Sequence, residues 1–427
     1  MGDHRDAAPV EKPVVLTIAG SDSGGGAGIQ ADLKTIEATG GFGTSAVTAV
    51  TAQNTTGVES SHVLPIEEIE AQLDAVLSDF DVRAAKTGML ATTEVVETVT
   101  AVLEDASFPT VVDPVMVAAT GDRLLTEAAE SAYEDLVAAA TVVTPNADEA
   151  AVLTDIEPTD EASAVAAAEA VREMGADAAL IKGGHIESGD GVADVLVDNT
   201  GTTTFRHPRI DTDATHGSGC TLSAATATRL AVGDDVRTAV AASTEFMQRA
   251  VRYHHAVGSG PGAVHHMVGI RDDAAREPTA EAVVRLTDRL VDAGVRRLIP
   301  AAGSEVVGAT PYAESTAEIA AIEGRLVRTM DGATPVRGVR FGASGETAER
   351  LLAVREHDPR RRFAASIRFD GVVRDAALGL GWAVAEAAES GVDAVVSPEG
   401  TTGVVFAETG GELADRLASL RAELPAE

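Results

Sequence analysis

At 427 residues and a formal net charge of −34, the chain is too long for one ordinary domain and too acidic to favour nucleic acid or an anionic membrane. Its single cysteine, Cys220, excludes an intrachain disulfide and a cysteine-based zinc site. The N-terminal stretch MGDHRDAAPVEKP carries no apolar signal region. No apolar run approaches the ~20 residues needed to span a bilayer, so a soluble, cytoplasmic protein is expected. Aromatic residues make up only 3%, so the cores must come from Ala, Val, Leu and Ile. Lys12, Lys34, Lys86 and Lys182 are the only lysines, and the acidity, lysine scarcity and alanine richness together have the look of a halophile's protein.

In chain order, short β-branched runs at 13–20, 44–53, 83–89, 110–115, 141–146 and 178–184 predict strands. Alanine-rich segments at 28–40, 66–80, 93–105, 147–154 and 162–175 predict helices. This alternation, with strands apolar along their whole length, predicts a doubly wound, mostly parallel α/β sheet with helices on both faces. VADVLVD and TTTFRHPRI add a late antiparallel pair, followed by a glycine turn and the helix CTLSAATATRLAVG. The pattern fails around 255–280, which reads as a boundary between a first domain over 1–268 and a smaller α/β domain over 280–427.

The segment DTDATHGSGC places Cys220 directly after Gly217, Ser218 and Gly219, at the start of a helix. Such a turn aims backbone N–H groups at one point, and the helix dipole adds positive potential suited to a phosphoryl group. A thiol at that position is expected to have its pKa lowered and to accept the proton of an attacking hydroxyl. A small buried residue at a strand–helix junction is the alternative. A second glycine-rich segment, AGSDSGGGAGIQADLK, places Gln30 and Asp32 in a first helical turn. There Asp32 is either a contact to a polar heterocycle or an ordinary first-turn carboxylate. TPNADEA sets Asn146 and Glu149 three residues apart, suited to magnesium held through its waters or to a capping box. Lys182, in IKGG at a strand end, reads as a phosphate contact or a solvated charge.

Taken in order, TIAGSDSGGGAGIQADLKT, TAVTAQNTTGV, KTGML, VVDPVMVAATGDRLL, VVTPNADEAAVLT, IKGGH and DTDATHGSGCTLSAA closely resemble hydroxymethylpyrimidine/phosphomethylpyrimidine kinases of the ribokinase-like superfamily. The resemblance covers roughly residues 13–265. It implies ATP-dependent phosphorylation of 4-amino-5-hydroxymethyl-2-methylpyrimidine and then of its monophosphate. It implies a pyrimidine held by Ala27, Asp32, Gln53, Met89 and Val115, with magnesium and nucleotide served by Asn146, Glu149, Lys182 and Thr212. Gly217, Ser218, Gly219 and Cys220 would form the anion hole and base. Relatives of this kinase are commonly dimers, so a homodimer is expected. The alternatives are a pyridoxal kinase and a thiamine-responsive regulator.

Segments 298–328, 340–370 and 378–387 resemble the archaeal-type thiamine-phosphate synthase domain, over about 285–427. Synthase-competent members end in a segment resembling DRGxxGKEPMIRV, whereas this chain has DAVVSPEGTTGVVFAETGGEL. Without that Arg and Lys, a leaving diphosphate lacks its positive charge. The domain is therefore expected to bind thiamine phosphate or a thiazole phosphate through the turn Gly342, Ala343, Ser344 and through Arg368. Full kinase–synthase activity stands as the alternative.

Overall fold

The computed structural model describes residues 10–116, 132–185 and 191–425. It divides into two compact units, 1–268 and 269–427. Part of one quoted motif, VAATGDRLL, lies outside the described residues.

In the first unit β1 (Val14–Ala19), β2 (Phe42–Val47), β5 (Val82–Thr87), β6 (Thr110–Val112), β7 (Val142–Val143), β8 (Ala178–Ile181), β9 (Gly191–Asp198) and β10 (Gly201–Pro208) form one sheet. β3 (Ala49–Asn54) and β4 (Gly57–Val63) form a separate ribbon. The sheet order is β10-β9-β8-β7-β6-β5-β1-β2, parallel from β2 to β8, with β9 and β10 added antiparallel. Successive strand residues face opposite sides. Leu16, Ile18, Val112 and Val143 enter one core, while Val15, Val111 and Val142 enter the other. Both faces are thus apolar, which is why these strands lack polar alternation.

The single strand expected over 44–53 is two. Thr48 interrupts it: its N–H donates to Ala19 O at 3.0 Å and its hydroxyl to Met89 O at 2.6 Å. The chain then leaves the sheet, and the β3–β4 ribbon turns at Asn54, whose side chain accepts from Thr56 N at 2.8 Å. The polar sequence GVESSHV gave β4 no apolar signature. The expected strand 178–184 ends at Ile181, because Gly183–His185 turn into a 3-10 helix.

The second unit holds a seven-stranded sheet of order β15-β12-β11-β16-β19-β18-β17 among the described residues. Its strands are β11 (Val306–Ala309), β12 (Ile319–Ile322), β15 (Val339–Phe341), β16 (Phe363–Arg368), β17 (Val384–Ala385), β18 (Ala394–Val396) and β19 (Thr402–Ala407); β13 (Leu326–Arg328) and β14 (Ala333–Pro335) pair apart. All neighbours are antiparallel except β17 and β18. Helices Arg276–Asp292 and Gly410–Glu423 bury Val283, Leu286, Leu413 and Leu417 in one core, and helix Glu346–His357 buries Leu351 and Val354 in another.

Candidate active site

The parallel strands of the first unit deliver their ends to one crevice, where such sheets bind ligands. A cavity of about 540 Å³ lies there. Of the residues expected at the pyrimidine, Ala27, Gln53, Met89 and Val115 line it. So do Asn146, Glu149, Lys182 and the whole turn Gly217, Ser218, Gly219, Cys220. Thr212 lines a second cavity of about 540 Å³ that shares Lys182, Ser218 and Gly219 with the first.

The turn is built for close approach. Gly217 has φ +83°, and a Cβ there would strike the Gly26 carbonyl oxygen, so two glycine-rich segments touch without side chains between them. Helix Ser218–Val232 starts at this contact; Ser218 N donates back to Thr215 O at 3.0 Å, and the N–H groups of Gly219 and Cys220 follow at the helix start. Its Ala224, Ala225 and Ala227 let the helix lie close on the sheet. Asp22, which sequence reasoning passed over, ties the two segments together. Its carboxylate accepts from Gly24 N at 2.7 Å, Gly26 N at 2.9 Å and Ala27 N at 2.7 Å, and lies 3.0 Å from His216 Nε2. Burial would raise the Asp22 carboxyl, but the His216 ring and the Ala27 and Gly24 amides outweigh it and hold it below the ordinary range. Gln30 accepts from Asp22 N at 2.8 Å and completes the loop.

Asp32 is not among the residues lining the cleft. It is fully buried, 2.6 Å from the Thr17 hydroxyl and 3.0 Å from Lys86 Nζ through each oxygen. Burial raises its carboxyl despite the ammonium beside it. Lys86, also missed, is fully buried too; burial would lower its amine, but Asp32, Cys220 and Asp113 outweigh this and keep it an ammonium.

Asn146 and Glu149 form the capping box: Asn146 N donates to Glu149 Oε2 and Glu149 N to Asn146 Oδ1, both at 2.8 Å. Lys182 is no solvated charge. It bonds Asp113 Oδ1 at 2.9 Å and lies 3.7 Å from Glu149 Oε2. Asp113, a third residue sequence reading missed, is buried in the cleft wall next to Thr144 and Ser223. Burial pushes Glu149 up to about 7, ahead of the opposing pull of Lys182. Among the described residues no group of three or more His, Cys, Asp or Glu side chains could hold a metal directly.

Cys220 corrects an expectation. Part of its surface opens to the cleft, yet burial pushes the thiol up to about 11, ahead of the Lys86 charge and the Gly28 N–H that favour the thiolate. Desolvation therefore outweighs the Lys86 charge and the Gly28 N–H, and the sulfur carries its proton at neutral pH.

In the second unit, the turn Gly342, Ala343, Ser344 leads into helix Glu346–His357, whose N-terminus already holds an anion. Glu305 accepts from the Ser344 hydroxyl at 3.2 Å and from Thr347 N at 3.1 Å, and pairs with Arg325 at 3.0 Å. Burial would raise Glu305, but Thr347, Arg325 and Ser344 hold it below its usual range. Arg368 lies 3.2 Å from Asp370.

A parallel doubly wound sheet with a glycine turn and two lysines around a cleft defines a phosphotransferase of ribokinase-like fold. Solved structures agree: a Bacillus subtilis pyridoxal kinase in an ADP complex is 33% identical over 61% of this chain and 99% of its own, with TM-score 0.57. A phosphomethylpyrimidine kinase from Clostridium difficile is 36% identical over 56% of this chain and 100% of its own, with TM-score 0.51. The model of the phosphomethylpyrimidine kinase family matches residues 22–265, and the chain belongs to that family. A hydroxymethylpyrimidine/phosphomethylpyrimidine kinase of Streptomyces coelicolor is 50% identical over 60% of this chain and 96% of its own. The first unit is accordingly such a kinase, of thiamine biosynthesis. Residues 282–409 match the family Thiamine-phosphate synthase ThiN, so the chain is a fusion. A thiamine biosynthesis bifunctional protein ThiED of Geobacter sulfurreducens is 45% identical over 62% of this chain and 54% of its own. No helix among the described residues is long and apolar enough to cross a membrane.

Proposed function

We propose that the first cavity holds the pyrimidine alcohol or its phosphate and that Cys220 is the base. The observation carrying this is the shared wall: Ala27, Gln53, Met89 and Val115 line the same cavity as Lys182 and the Gly217–Cys220 turn. The thiolate takes the hydroxyl proton as that oxygen attacks the γ-phosphorus of ATP and the bond to ADP breaks. Backbone N–H groups of Gly217 and Gly219 receive the charge of the moving phosphoryl group, joined by Ser218 N once it leaves Thr215 O. Lys182 turns from Asp113 toward the nucleotide, whose sugar and base occupy the second cavity beside Thr212. Asn146 and Glu149 would hold magnesium through its waters, which needs fewer protein ligands than direct coordination and fits the absence of a three-ligand cluster among the described residues. The metal would neutralise phosphate charge. Asp32 serves the pyrimidine from behind, by holding Lys86 in the floor.

ADP release measured with the pyrimidine alcohol, its monophosphate and pyridoxal tests this reading. Turnover of the first two with diphosphate product supports it, and turnover of pyridoxal alone overturns it. The pyridoxal alternative has the 33%-identical fold neighbour behind it.

The second unit, over 280–427, is proposed to bind thiamine phosphate or a thiazole phosphate at Gly342, Ala343, Ser344 and Arg368 without forming product. An anion bound there displaces Glu305 from Ser344 and Thr347. Thiamine phosphate made from pyrimidine diphosphate and thiazole phosphate by the intact chain would overturn this. The net charge of −34 supports a protein without nucleic acid or anionic membrane partners, and a cytoplasmic homodimer is part of the same proposal; sedimentation tests the dimer.

A further inference from the structure

The structure assigns Ser23 as a positioning residue for substrate binding: its hydroxyl takes the N–H of Gln53 and gives its own proton to the Gln53 carbonyl, which fixes that residue on the cavity wall. This rests on the proposed seat of the pyrimidine against Gln53 and names what holds Gln53 in place.

Gln53 needs holding. It lies in β3, which forms a two-stranded sheet with β4 apart from the main sheet. A ribbon of two strands is marginally stable by itself. The pairing also slips at this point: Ala52 faces Ser60 while Gln53 faces Val58, so Glu59 bulges between them. A bulge disturbs the ladder and re-aims the side chains beside it. Ser23, from the glycine-rich loop after β1, restores what the slip disturbs. Gln53 N donates to Ser23 Oγ at 2.8 Å, and Ser23 Oγ donates to Gln53 O at 2.6 Å. One hydroxyl thus acts toward β3 as a neighbouring strand would.

Ser23 can do this because its own loop is fixed. The Asp22 carboxylate holds the N–H groups of Gly24, Gly26 and Ala27. Gly24 lies flat on the ribbon: a Cβ there would come 3.3 Å from Asn54 Cα and 3.5 Å from Gln53 O. The ribbon has two further attachments. The Thr51 hydroxyl donates to Ser21 O at 2.7 Å, and the Thr55 hydroxyl accepts from Ser259 N at 3.2 Å and Gly260 N at 3.1 Å. Removing the Ser23 hydroxyl therefore frees the Gln53 backbone and leaves the ribbon docked.

The chemistry makes that placement matter. A carboxamide offers an acceptor oxygen and an N–H donor side by side. A 4-aminopyrimidine offers the complement, an amine donor next to a ring-nitrogen acceptor. Two bonds made together demand exact alignment, and a shift of about 1 Å is enough to spoil both.

The test is steady-state ADP release by the full-length protein with 4-amino-5-hydroxymethyl-2-methylpyrimidine. Ser23→Ala is expected to raise KM for the pyrimidine about three- to thirtyfold, with kcat and the KM for ATP each within about threefold of the parent. Ser23→Thr keeps the hydroxyl and is expected to stay within about threefold of the parent KM. In a Gln53→Ala background, Ser23→Ala should add less than about twofold, because the hydroxyl acts through the residue already removed. A purely structural role would instead add the same factor in both backgrounds. A Ser23→Ala KM within threefold of the parent, a threonine variant as weak as the alanine one, or an equal factor in both backgrounds overturns the assignment. Failure of the underlying reading shows separately: a parent-like KM for Gln53→Ala removes Gln53 from the pyrimidine seat and the role of Ser23 with it, whereas a raised KM for Gln53→Ala beside a parent-like Ser23→Ala strikes Ser23 alone.

Discussion

The two units treat an anion-receptive helix start in opposite ways. In the first, the turn Gly217–Cys220 opens onto a cavity, and its glycine segments meet backbone to backbone. In the second, the start of helix Glu346–His357 is filled from within by Glu305, which takes the Ser344 hydroxyl and the Thr347 N–H. Similar local sequence signals, small residues followed by a helix, thus end in one open site and one closed one. The difference arises from a carboxylate some forty residues away, a distance at which local motifs say nothing. An open turn is ready for a passing phosphate, while a closed one admits a ligand only by exchange.

The contrast is broken most sharply at the open site. Cys220→Ala is expected to lower kcat by about 10²- to 10⁴-fold while ATP affinity holds, as for loss of a general base; turnover near that of the parent would reduce the sulfur to wall. Since burial raises the thiol to about 11, thiolate is scarce at neutral pH and grows as pH rises. Log kcat/KM should therefore climb from pH 7 to pH 9 with a slope of about one, a tenfold gain per unit, with no plateau. A level profile in that window would mean that no proton leaves the free enzyme on the way to the transition state, and would set the thiolate base aside.

Gly217→Ala sharpens the comparison from the packing side. The positive φ and the Gly26 carbonyl leave no place for a Cβ, so a loss of about 1–3 kcal/mol in denaturant unfolding is expected, with weaker nucleotide binding. Glu149→Gln tests the buried acid. Its folded pKa of about 7 lies above the ordinary 4.5, so its protonation favours the fold. That contribution is fully present below 4.5 and is lost as pH rises through 7. Gln keeps the capping bond and carries no charge, so at pH 8 it should match or exceed the parent by up to about 3 kcal/mol, while kinase turnover falls. The smallest effect belongs to the closed site. Glu305→Gln weakens the internal occupant, and thiamine phosphate affinity, read by calorimetry on the full chain, should rise about two- to tenfold. Weaker binding in that variant would make Glu305 a ligand contact rather than a competitor.

Much of the first unit was legible because its chemistry sits in contiguous glycine-rich and strand-end segments. Ala27, Gln53, Met89 and Val115 meet in one cavity: Gln53 near the end of β3, Met89 and Val115 just past β5 and β6, and Ala27 at the start of helix Gly28–Ala38. What stayed hidden depends on distance in sequence. Lys86 and Asp32 are 54 residues apart, Lys182 and Asp113 are 69, and His216 and Asp22 are 194. No periodicity reports such pairs. An enclosed lysine in a lysine-poor chain was the available signal for Lys86, and the acid of VVDPV at a strand end was the signal for Asp113. The break at Thr48 was invisible because β-branched residues run through it. The sign of the Cys220 shift was also beyond reach, because the helix start is local and burial is a property of the whole fold.

The protonated state of the one sulfur reaches beyond the transfer step. Peroxide attacks thiolates, not thiols, so a sulfur with its proton in place at neutral pH resists oxidation to sulfenic acid. The chain carries no second cysteine to resolve such damage through a disulfide within itself. Desolvation of Cys220 therefore gives this enzyme a chemical durability that a strongly acidic thiol at the same place would forfeit.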